Sequence, residues 1–135
     1  MTPKAHNDSR GVHTEDDLTE FLTRYPERMA FGDEEPGSVL DRWFAPGFVF
    51  RNDGLALDRQ RLIDHVRPAR RNARAIRVEV HAKLLSDTGV AAHYTLHATM
   101  RTGRTLSTEI FMVGALAEDG RIETVEQRTR ILATS

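Results

Sequence analysis

The chain contains no cysteine. That absence removes disulfide staples, a thiol nucleophile and any thiolate-held metal from consideration. It also has no apolar run approaching the length that spans a bilayer, and its N-terminus lacks the apolar core of a secretory signal. A cytoplasmic location with no membrane partner is therefore expected. Charge of one sign is missing too, since 19 Lys and Arg offset 20 Asp and Glu to leave a net charge of −1. Such balance gives no general attraction to nucleic acid, and no nucleic-acid partner is expected. The local exception is the basic run Arg67-Pro68-Ala69-Arg70-Arg71-Asn72-Ala73-Arg74. It reads first as a solvated helix end whose cations complement the macrodipole, and second as a phosphate-binding patch.

At 135 residues, with 39% hydrophobic and 29% charged, the composition is that of one globular domain with a single core. Residues 1–13 are polar and aperiodic and read as a disordered arm, leaving one domain over 14–135. Thr14 is a helix N-cap, followed by Glu15, Asp16 and Asp17 and then by Leu18, Phe21, Leu22, Tyr25 and Met29 at helical spacing. Pro26 should kink this helix, and Gly32-Asp33 ends it. A short second helix is expected around Ser38–Phe44, stopped by Pro46-Gly47. Phe48–Asn52 reads as a short strand with Asp53-Gly54 as its exit turn. A third helix begins near Asp58, buries Leu62, Ile63 and Val66, and is disturbed at Pro68.

Strands follow. Arg74–Leu85 alternates, with Ile76, Val78, Val80, Ala82 and Leu84 on one face and Arg77, Glu79, His81 and Lys83 on the other. The turn Ser86-Asp87-Thr88-Gly89 sets Val80 opposite Thr95 and Val78 opposite His97. The inner face then continues through His93, Thr95, His97 and Thr99. Across Thr102-Gly103 it reaches Thr108, Ile110, Met112, Gly114 and Leu116. Across Ala117–Gly120 it reaches Glu123, Val125, Gln127 and Thr129. Two histidines and two threonines at the centre of a buried face resemble the wall of a pocket, because buried polar groups need partners. The outer face collects Tyr94, Leu96, Ala98 and Met100 beside Phe111, Val113 and Ala115, with Glu109 opposite Arg128. An apolar outer patch of that size predicts a homodimer through this sheet face, through Tyr94, Leu96, Phe111 and Val113. A single bulge would exchange these faces.

The fold class expected is α+β: a curved antiparallel sheet wrapped around three helices drawn from the N-terminal half. Three segments carry a resemblance. Arg24–Asp33 is similar to the end of the first helix of the NTF2-like superfamily, and Trp43–Phe50 to its second helix running into the first strand. Glu118–Ile122 is similar to the turn before its last strand. Between Thr14 and Leu132 the chain resembles this cone fold, which includes SnoaL-like polyketide cyclases and ketosteroid isomerases. The resemblance implies a pocket for a small, mostly apolar, oxygenated molecule. It does not by itself choose between an enzyme and a non-catalytic binding or dimerisation module.

Candidate site residues follow from that resemblance and from the register. Tyr25 matches the tyrosine that ketosteroid isomerases aim at a developing oxyanion, and reads equally as an amphipathic core residue. Asn52 or Asp53 matches the general-base carboxylate, although Asp-Gly after a strand also reads as a plain turn. Met112 replaces the second acid of those isomerases, and a thioether donates no proton. His97 is the candidate acid or base, while His93 and His97 lie about 13 Å apart along a strand and so share no metal. No metal and no cofactor are expected. Gln127 stands where cyclases of this kind carry an aspartate. Trp43, Phe50, His65, Val78, Thr95, Thr99 and Ile110 complete the expected lining, with His65 at its mouth or on the surface.

Overall fold

A computed structural model of the chain describes residues 10–134. These residues form three helices and one six-stranded sheet with strand order β2-β1-β6-β5-β4-β3. Helix α1 spans Glu15–Phe31, opened by a capping box in which Thr14 accepts from the Asp17 N–H and the Asp17 carboxylate accepts from the Thr14 N–H. It runs unbroken through Pro26. Helix α2 spans Pro36–Trp43, two residues earlier than its sequence suggested, because Pro36 is preorganised for a first turn. Helix α3 spans Arg59–Asn72 with Asp58 as N-cap, and it passes through Pro68 rather than ending there.

The strands are β1 (Phe44–Asn52), β2 (Leu55–Ala56), β3 (Ala73–Leu85), β4 (Gly89–Met100), β5 (Thr105–Leu116) and β6 (Ile122–Thr134). All neighbours are antiparallel except β1 and β6, which run parallel, so the expected antiparallel sheet is in fact mixed. The sheet stays open, with β2 and β3 at its edges. The helices cover one face. Leu18, Phe21 and Leu22 of α1 pack there with Leu40, Trp43, Phe44, Tyr94, Ile110, Met112, Ile122 and Val125.

Two one-residue irregularities decide the inner face. Beside the Ser86–Gly89 turn, Leu85 pairs with Val90 and Ala82 with His93, as the turn dictates. A bulge at His81 then shifts the register, so Val80 pairs with Tyr94 and Val78 with Leu96. The β4–β5 loop holds three residues, Arg101-Thr102-Gly103, with Gly103 at φ 92°, instead of the expected two. Tyr94 therefore faces Ile110, and Leu96 faces Thr108. The two shifts cancel for β5 and for β3 up to Val80; they invert β4, and beyond the bulge they turn Ala82 and Leu84, expected inside, to the outer face. Tyr94, Leu96 and Ala98 point to the helices, and His93, Thr95, His97 and Thr99 point away. On β6, Val125, Gln127 and Thr129 keep their expected inner places, but Glu123 is an exposed bulge residue and Ile122 is buried in its stead.

The first nine residues of the expected arm lie outside the described residues. Its last four are docked. Gly11 N donates to Arg42 O at 2.8 Å and Val12 N to Gly120 O at 2.7 Å, which leaves Val12 2% exposed.

Candidate functional site

The concave face is built from aromatic side chains that the α1–β1 junction brings together. Tyr25 stacks on Phe21 with ring centroids 5.3 Å apart and meets Phe44 edge-on at 5.6 Å. Phe44 also contacts Phe48 and Phe50, and Tyr94 is buried from the sheet side. Burial pushes both phenols well above their ordinary pKa, and Tyr94 adds to the effect on Tyr25. Both therefore stay neutral donors. Neither hydroxyl has a hydrogen-bond partner among the described residues, and no fully buried side-chain polar atom there lacks one. Both hydroxyls therefore border space that a water or ligand can occupy.

Across the parallel strands, Gln127 Nε2 donates to Asn52 Oδ1 at 2.9 Å, forming a neutral amide pair on the same face. Met112 lies beside Gln127, 2% exposed, and supplies no donor. Val78, Leu62, Ile63 and Leu96 close the lining as partly buried apolar groups, and Ile110 is buried with them. Trp43 is core, 5.4 Å from Phe21 by ring centroids, and Phe50 is lining. His65 is exposed on α3.

Asp53 is the turn residue. It takes φ 53° with Gly54 at φ 86°, the two-residue hairpin loop that Asp-Gly favours between β1 and β2. Its carboxylate accepts from the Thr129 N–H at 2.8 Å and from the Thr129 hydroxyl, and these bonds hold its pKa below the usual range. A carboxylate so occupied and so acidic is a poor base near neutrality.

The histidines are on the other side. His97 Nδ1 meets Ser107 Oγ at 2.7 Å, and its Nε2 meets Glu79 at 3.2 Å. His93 Nε2 meets Glu109 at 2.7 Å while its ring lies against Phe111. Thr95 is 3% exposed and bonds to His81. Glu109 pairs with Arg130 rather than with the expected Arg128, because β5–β6 pairing sets Phe111 opposite Arg128. The expected convergence of His97 on Tyr25, Asn52 and Gln127 thus does not form, nor do His93, Thr95 and Thr99 line the interior. Tyr94 was missed. The signal was in β4 itself, whose Ala92, Tyr94, Leu96 and Ala98 alternate against polar neighbours.

An open sheet curled over α1, with α2 and α3 beside it, has known counterparts. IdmH, a candidate polyketide cyclase from Streptomyces antibioticus, is similar over 88% of this chain and 92% of its own, at 17% identity and a TM-score of 0.62. A candidate isomerase of the SnoaL-like family from Agrobacterium tumefaciens strain C58 is similar over 87% and 99%, at 12% identity and a TM-score of 0.60. A protein of ketosteroid isomerase-like fold from Catenulispora acidiphila DSM 44928, in complex with trimethylamine, covers 87% and 86% at 9% identity and a TM-score of 0.60. This is the NTF2-like cone fold. The chain matches no protein-family model and no curated protein. Within the cone, the aromatic cage and the amide pair occupy the helix-covered side, and among the described residues none of the sheet's histidines do. No described helix is long and apolar enough to cross a membrane, and no cluster of described side chains could hold a metal ion.

Proposed function

We propose that the chain binds a small, mostly apolar, oxygenated molecule in the concave face of its cone, through neutral donors and without acid–base chemistry of its own. The observation that carries this reading is the pair of unpartnered phenol hydroxyls, Tyr25 and Tyr94, in a desolvated aromatic cage. A neutral donor in such a cage suits a carbonyl or ether oxygen on an apolar body. Proton transfer needs a group that titrates near neutrality within reach of the ligand. His97 faces away and Asp53 is tied to Thr129, so neither serves. The similarity to candidate cyclases and isomerases supports a small-molecule ligand.

The test uses Trp43, the single tryptophan, buried against Phe21. Its fluorescence should respond to titration with neutral ketones carrying an apolar body. Tyr25→Phe should weaken a ketone by roughly two- to tenfold, the worth of one neutral hydrogen bond, and leave the parent hydrocarbon unaffected. Binding should be flat between pH 6 and 9. Loss of binding in His97→Ala, or a midpoint near neutrality, would return the histidine to the mechanism.

We further propose assembly as a homodimer through the outer face, over a narrower patch than the one expected from the sequence. Phe111 and Val113 are 51% and 63% exposed there, with Leu84 at 73%. Tyr94 and Leu96, expected on that face, are inside instead.

A further inference from the structure

Five arginine side chains lie toward one end of the molecule, unpaired among the described residues. Arg67 and Arg71 lie on α3, Arg74 at the start of β3, and Arg101 and Arg104 in the β4–β5 hairpin, all exposed. None of their guanidinium groups joins an ion pair or a hydrogen bond among the described residues. The stretches that build this end, 65–78 and 96–108, contain no aspartate or glutamate. Their neighbour Arg70 shows what a structural arginine does here. It donates to the carbonyls of Met29, Arg28 and Glu34 at 3.2, 3.1 and 3.0 Å, which closes the end of α1. The other five do no such work, and like charges held close repel.

Two of them, Arg101 and Arg104, border a groove. The Arg101 N–H donates to Asn72 O at 2.8 Å, fixing the hairpin against the end of α3. Beside that contact lies a cavity of about 370 Å³ lined by Asn72 and by residues 100–102 and 104–106. Met100 and Leu106 give it an apolar wall, while Arg101 and Arg104 give it two guanidinium forks. Such forks match the paired oxygens of a carboxylate or a phosphate. We infer that this groove binds an anionic amphipath, a carboxylate or phosphate monoester carried on an apolar chain. The site is separate from the aromatic cage and does not depend on it.

Calorimetric titration of the full chain with decanoate, decyl phosphate, decanol and inorganic phosphate tests this. One of the two amphipathic anions should bind one site per chain, and the tighter of them names the head group. Binding should weaken as sodium chloride is raised. The double variant Arg101→Gln/Arg104→Gln should lose roughly ten- to a hundredfold in affinity, the worth of a charged hydrogen bond, while Tyr25→Phe binds as before. Amide shifts at Asn72, Met100 and Leu106 on adding decanoate or decyl phosphate to the wild-type chain locate the site without any variant. Decanol or inorganic phosphate binding as tightly as the amphipath would overturn the inference. So would unchanged affinity in the double variant, or shifts confined to the aromatic cage.

Discussion

Gln127 donates its side-chain amide to Asn52 at 2.9 Å across the parallel β1–β6 pair, so the two half-buried amides that face the helices satisfy each other. Replacing Gln127 with Leu would strand the Asn52 carbonyl oxygen. The expected cost is about 1–3 kcal/mol, the penalty for an unpaired buried acceptor. Urea unfolding of Gln127→Leu, Asn52→Leu and the double variant measures it. The double should cost less than the sum of the singles, and strict additivity would show that the pair contributes nothing.

Tyr25 and Tyr94 are the only tyrosines in the chain, so ultraviolet absorbance near 295 nm reports on them alone. Both phenols have folded-state values raised above the ordinary 10.0 by burial. A raised value contributes stability that is complete below the unfolded pKa and lost as pH climbs from there toward the folded one. Tyrosinate should therefore be absent at pH 10 in the folded protein and rise together with loss of the native circular dichroism. Half ionisation at pH 10 with the fold intact would show that neither ring is desolvated.

Four carboxylates move the other way. Asp53 is held low by the Thr129 hydroxyl and N–H, Glu79 by His97, Glu109 by His93 and Arg130, and Asp119 by the Arg121 N–H. A lowered folded-state value contributes stability that is complete above the unfolded pKa, near 3.8 for Asp or 4.5 for Glu, and lost as pH falls through the folded value. The melting temperature should hold down to about pH 5 and fall below it. Asp53→Asn should flatten that fall, and an unchanged profile would remove the Thr129 clamp from the account.

Phe111→Arg tests the outer face. A stable interface buries roughly 800 Å² per partner, and a charge at its centre should disperse it. Sedimentation should show a dimer for the parent chain and a folded monomer for the variant. A parent that sediments as a monomer at high concentration would count against the interface.

Gly11→Ala tests the docked end of the N-terminal segment. A Cβ at Gly11 would sit 2.4 Å from the Gly120 carbonyl carbon, and the residue takes φ +80°. The strain should cost on the order of 1–3 kcal/mol or release the segment, which thermal melts and proteolysis after Arg10 would report.

Much of this protein is written locally. Thr14 and Asp58 cap their helices, Asp53-Gly54 makes its turn, and the alternation of β3 and β5 sends Val78, Val80, Ile110 and Met112 inward. Each depends on residues within a few positions of one another, so the sequence suffices for it. The side on which His97 and Tyr94 fall is different. It turns on one extra residue at His81 and one in the loop before Arg104, and a strand's side chains reverse with every single-residue shift. Whether a bulge forms depends on what packing gains from it. Here the inversion buries Tyr94, half-buries Leu96 on the helix-covered face, and leaves the imidazoles where glutamates and hydroxyls can meet them. That comparison of two faces exists only once the helices have docked, and so the tertiary structure decided it.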